Sequence, residues 1–323
     1  LGKVYTLKVH ELTAGGRAAK GKPIVNLLPV ETGEKVAAVL PFERFEEGVF
    51  VVTATRGGTI KKTPLTAYKN IHAGGLIAVN IPEGDALINV HLCREGDRLQ
   101  LTTARGMATT FRQSDARAMG RATTGVRGIR LRAGDEAISM IVLPREDLLL
   151  EGLIDEETDL AAADDNATDD GGATEVEMVV EADPTEDAEI DVAVAAARRT
   201  VLVISENGYG KRTPIANYPL RGRGGIGVIS MKTSERNGKL ASARLVAPDE
   251  QLILITDGGK IIRTRVAEVP VLGRNTQGVR IIQLEKGERV VGVAQFAERD
   301  DDDGDAEGTA PVVDASELDA TAE

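Results

Sequence analysis

Gly222, Gly224 and Gly227 in the stretch GRGGIG have the spacing of a loop that cradles a dinucleotide pyrophosphate. That chemistry needs a strand before the loop and a helix after it. Here no helix pattern follows, and the chain runs on into another strand-like run, VISM. Nucleotide binding is therefore not expected at these glycines. His10, His72 and His91 are too scattered to gather a metal ion. A single cysteine, Cys93, excludes a disulfide scaffold and any multi-cysteine zinc site. No Ser–His–Asp or paired-carboxylate arrangement stands out. No catalytic residue, metal, cofactor or small-molecule substrate is expected in this chain.

What remains is a population of Lys and Arg, and its chemistry is contact with a polyanion. The candidate contacts are Arg17, Lys20 and Lys22; Arg56, Lys61, Lys62 and Lys69; Arg105, Arg112, Arg117, Arg121 and Arg127; Lys211, Arg212, Arg221 and Arg223; and Lys260, Arg263, Arg265, Arg274 and Arg280. The formal net charge of −12 conceals them. Residues 145–197 hold 19 acidic residues against one basic, and residues 298–323 hold 11 against one. The rest of the 323 residues carries 37 basic against 21 acidic. A basic body thus bears an acidic insert and an acidic tail. Both are low in complexity and are expected to be disordered.

The elements that must position these residues follow from an internal repeat. GGTIKKTP at 57–64, NGYGKRTP at 207–214 and GGKIIRTR at 258–265 share a glycine, a short strand pattern and basic residues with Thr. RGMATTFR at 105–112 and GKVYTLK at 2–8 fit more loosely. The leading glycines are Gly2, Gly58, Gly106, Gly208 and Gly259, and a second set, Gly21, Gly75, Gly125, Gly227 and Gly278, follows downstream. With the insert removed, the period is close to fifty residues. The copy at 47–95 reads as four β-rich runs, VFVVTAT, TIKKT, LIAVNI and ALINVHL, and later copies read alike. The expected organisation is a partial repeat at 1–46, repeats at 47–95, 96–144, 198–248 and 249–297, the insert at 145–197 and the tail at 298–323. Four short strands per copy, with no long helical segment, predict an all-β array of four-stranded antiparallel blades, as a ring or a spiral. The glycines are expected to be turn residues.

Equivalent positions in such an array fall at equivalent places on its rim, so the basic residues should form a belt. Aromatics are 3% of the chain, too few for the stacking platforms of single-strand binders. No recognition helix for base readout is visible. Duplex DNA held by its phosphates, with little sequence preference and strong salt dependence, is the partner that fits. No apolar run approaches the roughly 18 residues of a membrane span, and no leader is visible, so a cytoplasmic location is expected. The start at Leu1 suggests a fragment.

NGYGKRTP, GRNTQGVRII, RAMGRATTGVRGIRL and GKPIVNLLP resemble the C-terminal domain of the A subunit of bacterial DNA gyrase, and the resemblance covers all but the acidic segments. It implies a β-pinwheel whose outer edge binds and wraps duplex DNA for strand passage and negative supercoiling. It also implies two partners, a second A subunit plus the gyrase B subunit, with ATP and Mg2+ used elsewhere in the parent enzyme. That family usually has six repeats, and its box of the form QRRGGKG is not seen here; RGRGGIG at 221–227 is a degenerate echo. The strand-cleaving tyrosine belongs to another domain, so Tyr5, Tyr68, Tyr209 and Tyr218 are not candidates for it. The acidic tail is similar to tails that modulate wrapping. Alternatives are the C-terminal domain of the A subunit of topoisomerase IV and a propeller used as a protein-interaction module.

Overall fold

The computed structural model describes residues 2–12, 22–30, 36–154 and 197–297. Most of the expected insert, 155–196, and the tail, 298–323, lie outside the described residues. The strands in chain order are β1 (Lys3–Val4), β2 (Val49–Thr55), β3 (Thr59–Pro64), β4 (Leu76–Ile77), β5 (Leu87–Arg94), β6 (Arg98–Thr103), β7 (Met107–Arg112), β8 (Val126–Arg127) and β9 (Ala137–Leu143). A helix, α1 (Arg145–Leu150), follows. Then come β10 (Thr200–Ser205), β11 (Tyr209–Pro214), β12 (Val228–Ile229), β13 (Leu240–Val246), β14 (Glu250–Thr256), β15 (Ile261–Arg265), β16 (Val279–Arg280) and β17 (Val290–Ala297). Among the described residues no helix is long and apolar enough to cross a membrane.

The strands form antiparallel sheets in the orders β5-β2-β3-β8, β9-β6-β7-β12 and β13-β10-β11-β16, with a three-stranded β17-β14-β15 and a two-stranded β1-β4. The four runs of a repeat therefore do not close one sheet. The third run of each copy crosses to the preceding copy and pairs with its second strand. β8 joins β3, β12 joins β7 and β16 joins β11, and β4 likewise joins β1 of the partial first repeat. The exchange interlocks neighbouring blades through backbone hydrogen bonds.

Two glycines show why the repeat needs its spacing. Gly106, in the β6–β7 turn, has φ +84°, and an added Cβ would lie 2.0 Å from the Met231 carbonyl oxygen. Gly227, just before β12, has φ +82°, and its Cβ would lie 2.2 Å from the Ala108 carbonyl oxygen. Each sits where the chains of adjacent copies touch, and positive φ strains any side chain.

The core is divided among the seams between blades. Val52, Leu99, Phe111 and Met140 fill one, and Leu143, Val201, Val203 and Met231 the next. Leu202, Leu252, Leu254 and Val266 fill a third, and Val49, Leu65 and Tyr68 belong to a fourth, smaller cluster. Burial on both sheet faces explains the continuous apolar runs of β2 and β10. β5, β9, β13 and β17 pack on one another in succession. Cross-blade hydrogen bonds join them: Ser139 Oγ donates to the Ala243 carbonyl at 2.6 Å, and Gln295 Nε2 to that of Leu245 at 3.0 Å. That edge of each sheet faces the middle of the array. The second strands and the donated strands therefore form the rim.

The expected insert begins in ordered structure. In α1, Leu148 is fully buried against the core of the seam between the third and fourth copies. Glu146 and Asp147 sit in its first turn, where the helix dipole favours acids. Arg98 Nη2 donates to the Leu153 carbonyl at 3.0 Å. Arg199 lies 3.5 Å from Asp147 and Arg198 3.7 Å from Glu151. The chain before and after 155–196 is thus tied together at its base. In the last blade no strand covers β15 among the described residues. It alternates exposed and half-buried residues where β11 is buried throughout.

Candidate nucleic-acid interface

In each repeat a loop runs from the second strand to the donated strand, over 65–75, 113–125, 215–227 and 266–278. Three of these loops lie along the outer strand of the preceding copy. Met119 N–H donates to the Lys62 carbonyl, Arg221 N–H to that of Thr110 and Leu272 N–H to that of Arg212, at 2.7–2.8 Å. The backbone thus sets equivalent loops at equivalent places on the rim. The loop of the fourth copy also rests on that of the third. Gly224 N–H donates to the Gly128 carbonyl and Arg130 N–H to that of Gly225, both at 2.8 Å. Arg223 Nε donates to the Asp115 carbonyl at 2.8 Å. These contacts bring Arg112, Arg117, Arg127, Arg221 and Arg223 into one district, all exposed.

Asp115 sits within it and accepts the Arg112 N–H at 3.1 Å. Burial pushes its carboxyl above the usual range against the pull of that hydrogen bond and of the nearby arginines. Arg117, Arg127 and Arg221 make no side-chain ion pair among the described residues.

Other candidate residues divide into three groups. Lys22, Lys69, Arg105 and Arg265 are exposed, Arg280 is exposed and bonded to the Tyr209 hydroxyl, and Arg121 is half-buried. Arg56, Lys260 and Arg263 are exposed but engaged. Arg56 Nη2 donates to the Gly84 carbonyl at 2.6 Å and Nε lies 3.8 Å from Glu136. Lys260 is 2.7 Å from Glu285 and 3.3 Å from Glu288. Arg263 stacks 5.2 Å from the Phe296 ring centroid and bonds Gln251. Arg17 and Lys20 lie outside the described residues.

Lys61, Lys62, Lys211, Arg212 and Arg274 correct the expectation of an unbroken belt. All five are buried. The Lys61 ammonium donates to the carbonyls of Ala78 and Arg121. Lys62 donates to Gln113 Oε1 at 2.6 Å and to its carbonyl at 2.9 Å. Lys211 donates to the Gly273 carbonyl at 2.5 Å, to that of Arg274 and to Thr276 Oγ1. Arg212 Nε donates to the Val269 carbonyl at 2.7 Å, and Arg274 Nη1 to that of Ile229 at 3.1 Å. Desolvation brings the Lys61 pKa down to about 8 and also lowers those of Lys62 and Arg212. A buried ammonium needs such acceptors to offset lost hydration. These contacts staple one copy to the next and hold the five side chains away from the surface of the rim.

Arg236 is not among the candidates read from the sequence. It lies in the turn after β12, away from the loops where the other candidates cluster, and its Cζ is 4.9 Å from the Tyr209 ring centroid. In the sequence Arg236 stands 27 residues after Tyr209, and no pattern links the two.

A radial array of blades that exchange strands around apolar seams, with exposed cations along the rim, is a propeller-like architecture of the β-pinwheel class. The family model described as "DNA gyrase C-terminal domain, beta-propeller" matches residues 1–43, 50–94, 97–144, 199–247 and 250–297, and the chain belongs to that family. It is 40% identical over 302 residues to the A subunit of DNA gyrase from Escherichia coli (strain K12), covering 94% of this chain and 29% of that protein. The chain thus spans less than a third of that relative. Its fold is similar to that of a crystal structure of the C-terminal domain of DNA topoisomerase IV, with TM-score 0.70 and 20% identity over 92% of this chain and 76% of that one. It is also similar to a structure of a DNA gyrase A C-terminal domain, with TM-score 0.65 and 20% identity over 91% and 79%.

Proposed function

We propose that this chain is a non-catalytic module that binds duplex DNA along its rim and wraps it for a type IIA topoisomerase of the gyrase kind. One observation carries the reading: rim loops of the third and fourth copies gather exposed arginines, of which Arg117, Arg127 and Arg221 form no ion pair among the described residues. Phosphates are the anions that a curved row of such groups suits, and their contacts carry no sequence information. Bending 20–30 base pairs of duplex costs on the order of 1–6 kcal/mol, which added phosphate contacts must offset. In the parent enzyme the wrapped segment would be presented for strand passage and negative supercoiling. The partners there would be a second A subunit plus the gyrase B subunit, in the bacterial cytoplasm, with ATP and Mg2+ handled outside this module.

The acidic insert and tail are proposed to compete with DNA for the cationic rim. They are covalently attached and opposite in charge, which raises their effective concentration. The test is duplex binding by the whole chain between roughly 50 and 200 mM salt, together with writhe trapped in a relaxed plasmid. A phosphate-borne interface loses orders of magnitude in affinity over that range. Salt-independent association with another protein, and no DNA binding at low salt, would favour the interaction-module reading instead.

A further inference from the structure

Tyr209 begins β11 and stands directly opposite Arg280, on the strand donated by the fifth copy. Arg280 Nη2 donates to the Tyr209 hydroxyl at 3.0 Å, with the guanidinium carbon 5.5 Å from the ring centroid. Arg236 comes to 4.9 Å of the same ring. One phenol thus holds two guanidinium groups beside an open concavity of about 540 Å³ lined by Tyr209, Arg236, Gly278, Val279 and Arg280.

Neither arginine forms an ion pair among the described residues. Two like charges held at one ring repel each other, and an anion between them relieves that repulsion. Hydrogen bonding from Arg280 and from Arg236, with the charge of both, lowers the phenol's pKa. The donor count also fits an oxyanion. Each guanidinium has five N–H groups, and Arg280 spends one on the phenol. Because the phenol oxygen accepts from Arg280, it holds that guanidinium in place beside the concavity. Tyr209 as a whole is 5% exposed, with the arginines at its ring, so it offers no platform for stacking a base. What the site can grip is a tetrahedral phosphate group whose base lies elsewhere.

We infer that Tyr209, Arg236 and Arg280 form a preorganised clamp for one phosphodiester group of duplex DNA, at the seam between the fourth and fifth copies. The inference rests on the DNA-binding reading above and adds to it a defined contact point, including one residue, Arg236, outside the loops that carry the rest. The clamp spans a strand exchange, so it exists only while the two copies remain interlocked.

The test measures the whole chain on two fluorescent duplexes of unrelated sequence across a salt series. Arg236→Ala should weaken binding severalfold on both and flatten the log–log salt slope by about 0.9, the value for one lost phosphate contact. Arg236→Lys should keep the slope, since the charge remains, but bind more weakly because the fork is gone. Tyr209→Phe should lower affinity at an unchanged slope. Arg117→Ala, in the rim district of the third copy, separates the possible failures. If Arg117→Ala weakens binding while Arg236→Ala matches the unaltered chain in affinity and slope, the clamp is refuted and the rim reading stands. If the unaltered chain binds neither duplex at low salt, both fall. An Arg236→Ala loss on only one duplex would mean base readout and would also overturn the clamp. Thermal melts that coincide with the unaltered chain exclude misfolding, since Arg236 is exposed.

Discussion

The Lys211 ammonium lies 2.5 Å from the Gly273 carbonyl oxygen, a contact that crosses from the outer strand of the fourth copy to the loop of the fifth. Lys61 makes the same kind of crossing to the loop of the third copy. Lys211→Met keeps the apolar stem but strands the carbonyls of Gly273 and Arg274. Leaving a buried polar group unsatisfied costs about 1–3 kcal/mol. Urea unfolding should show a loss of that order. Duplex affinity of the folded variant and its salt slope should match the unaltered chain. A slope reduced by one contact would place Lys211 on a phosphate and overturn its assignment as a staple.

Lys61 adds a pH signature. Burial brings its pKa in the folded chain from 10.5 down to about 8. Between those values the unfolded chain binds more protons than the folded one, so stability rises with pH there. Below the folded-state value the ammonium is charged in both states and its burial penalty is present in full. Above the unfolded-state value the penalty is gone. The urea midpoint of the unaltered chain should therefore climb relative to that of Lys61→Met from about pH 8 to about pH 10. A difference that stays flat or falls over that window contradicts a desolvated Lys61.

The glycines of GRGGIG offer a sharper contrast. Gly227 has φ +82° and no room for a methyl beside the Ala108 carbonyl, whereas a Cβ on Gly222 meets nothing within 4 Å. Gly227→Ala should cost about 2–4 kcal/mol in urea unfolding, through strain and a broken β7–β12 pairing. Gly222→Ala should stay within about 0.5 kcal/mol. Equal tolerance at both positions would refute the strand-exchange role of Gly227.

Much of this fold is visible in the sequence because a repeat exposes its turns. With the insert at 145–197 set aside, Gly58, Gly106 and Gly208 recur at nearly fixed spacing, and all three adopt positive φ. Alternating and apolar runs mark strands, but they do not say which strand pairs with which. LIAVNI at 76–81 therefore reads as part of its own blade, although Leu76–Ile77 pairs with Lys3–Val4 of the preceding copy. Lysines beside threonine in TIKKT and GKRT read as surface charge. Only the carbonyl groups brought up by the next copy, from Arg121 and Gly273, reveal that Lys61 and Lys211 are buried. The short helix after Pro144 hides in an acidic stretch, and its signal was Pro followed by acids and a run of leucines. Arg117 and Arg221 were legible as a cationic rim because loop position alone keeps them exposed.

Exposure with and without a local acid separates the rim residues into two classes, and the salt slope can measure the difference. Lys260 already lies between Glu285 and Glu288, which raise its pKa. A phosphate arriving there must compete with two carboxylates, so few counterions are released. Arg117 and Arg221 face no such competition among the described residues. Arg117→Ala and Arg221→Ala should each reduce the magnitude of the slope of log K against log salt by about 0.9. Lys260→Ala should change it far less, and Glu285→Gln together with Glu288→Gln should strengthen binding by freeing the ammonium. Fluorescence anisotropy on a duplex long enough to follow the rim, read at several salt concentrations, checks all of these. Equal slope changes for Lys260→Ala and Arg117→Ala would show that the local carboxylates do not shield the rim, and that net charge alone governs the interaction.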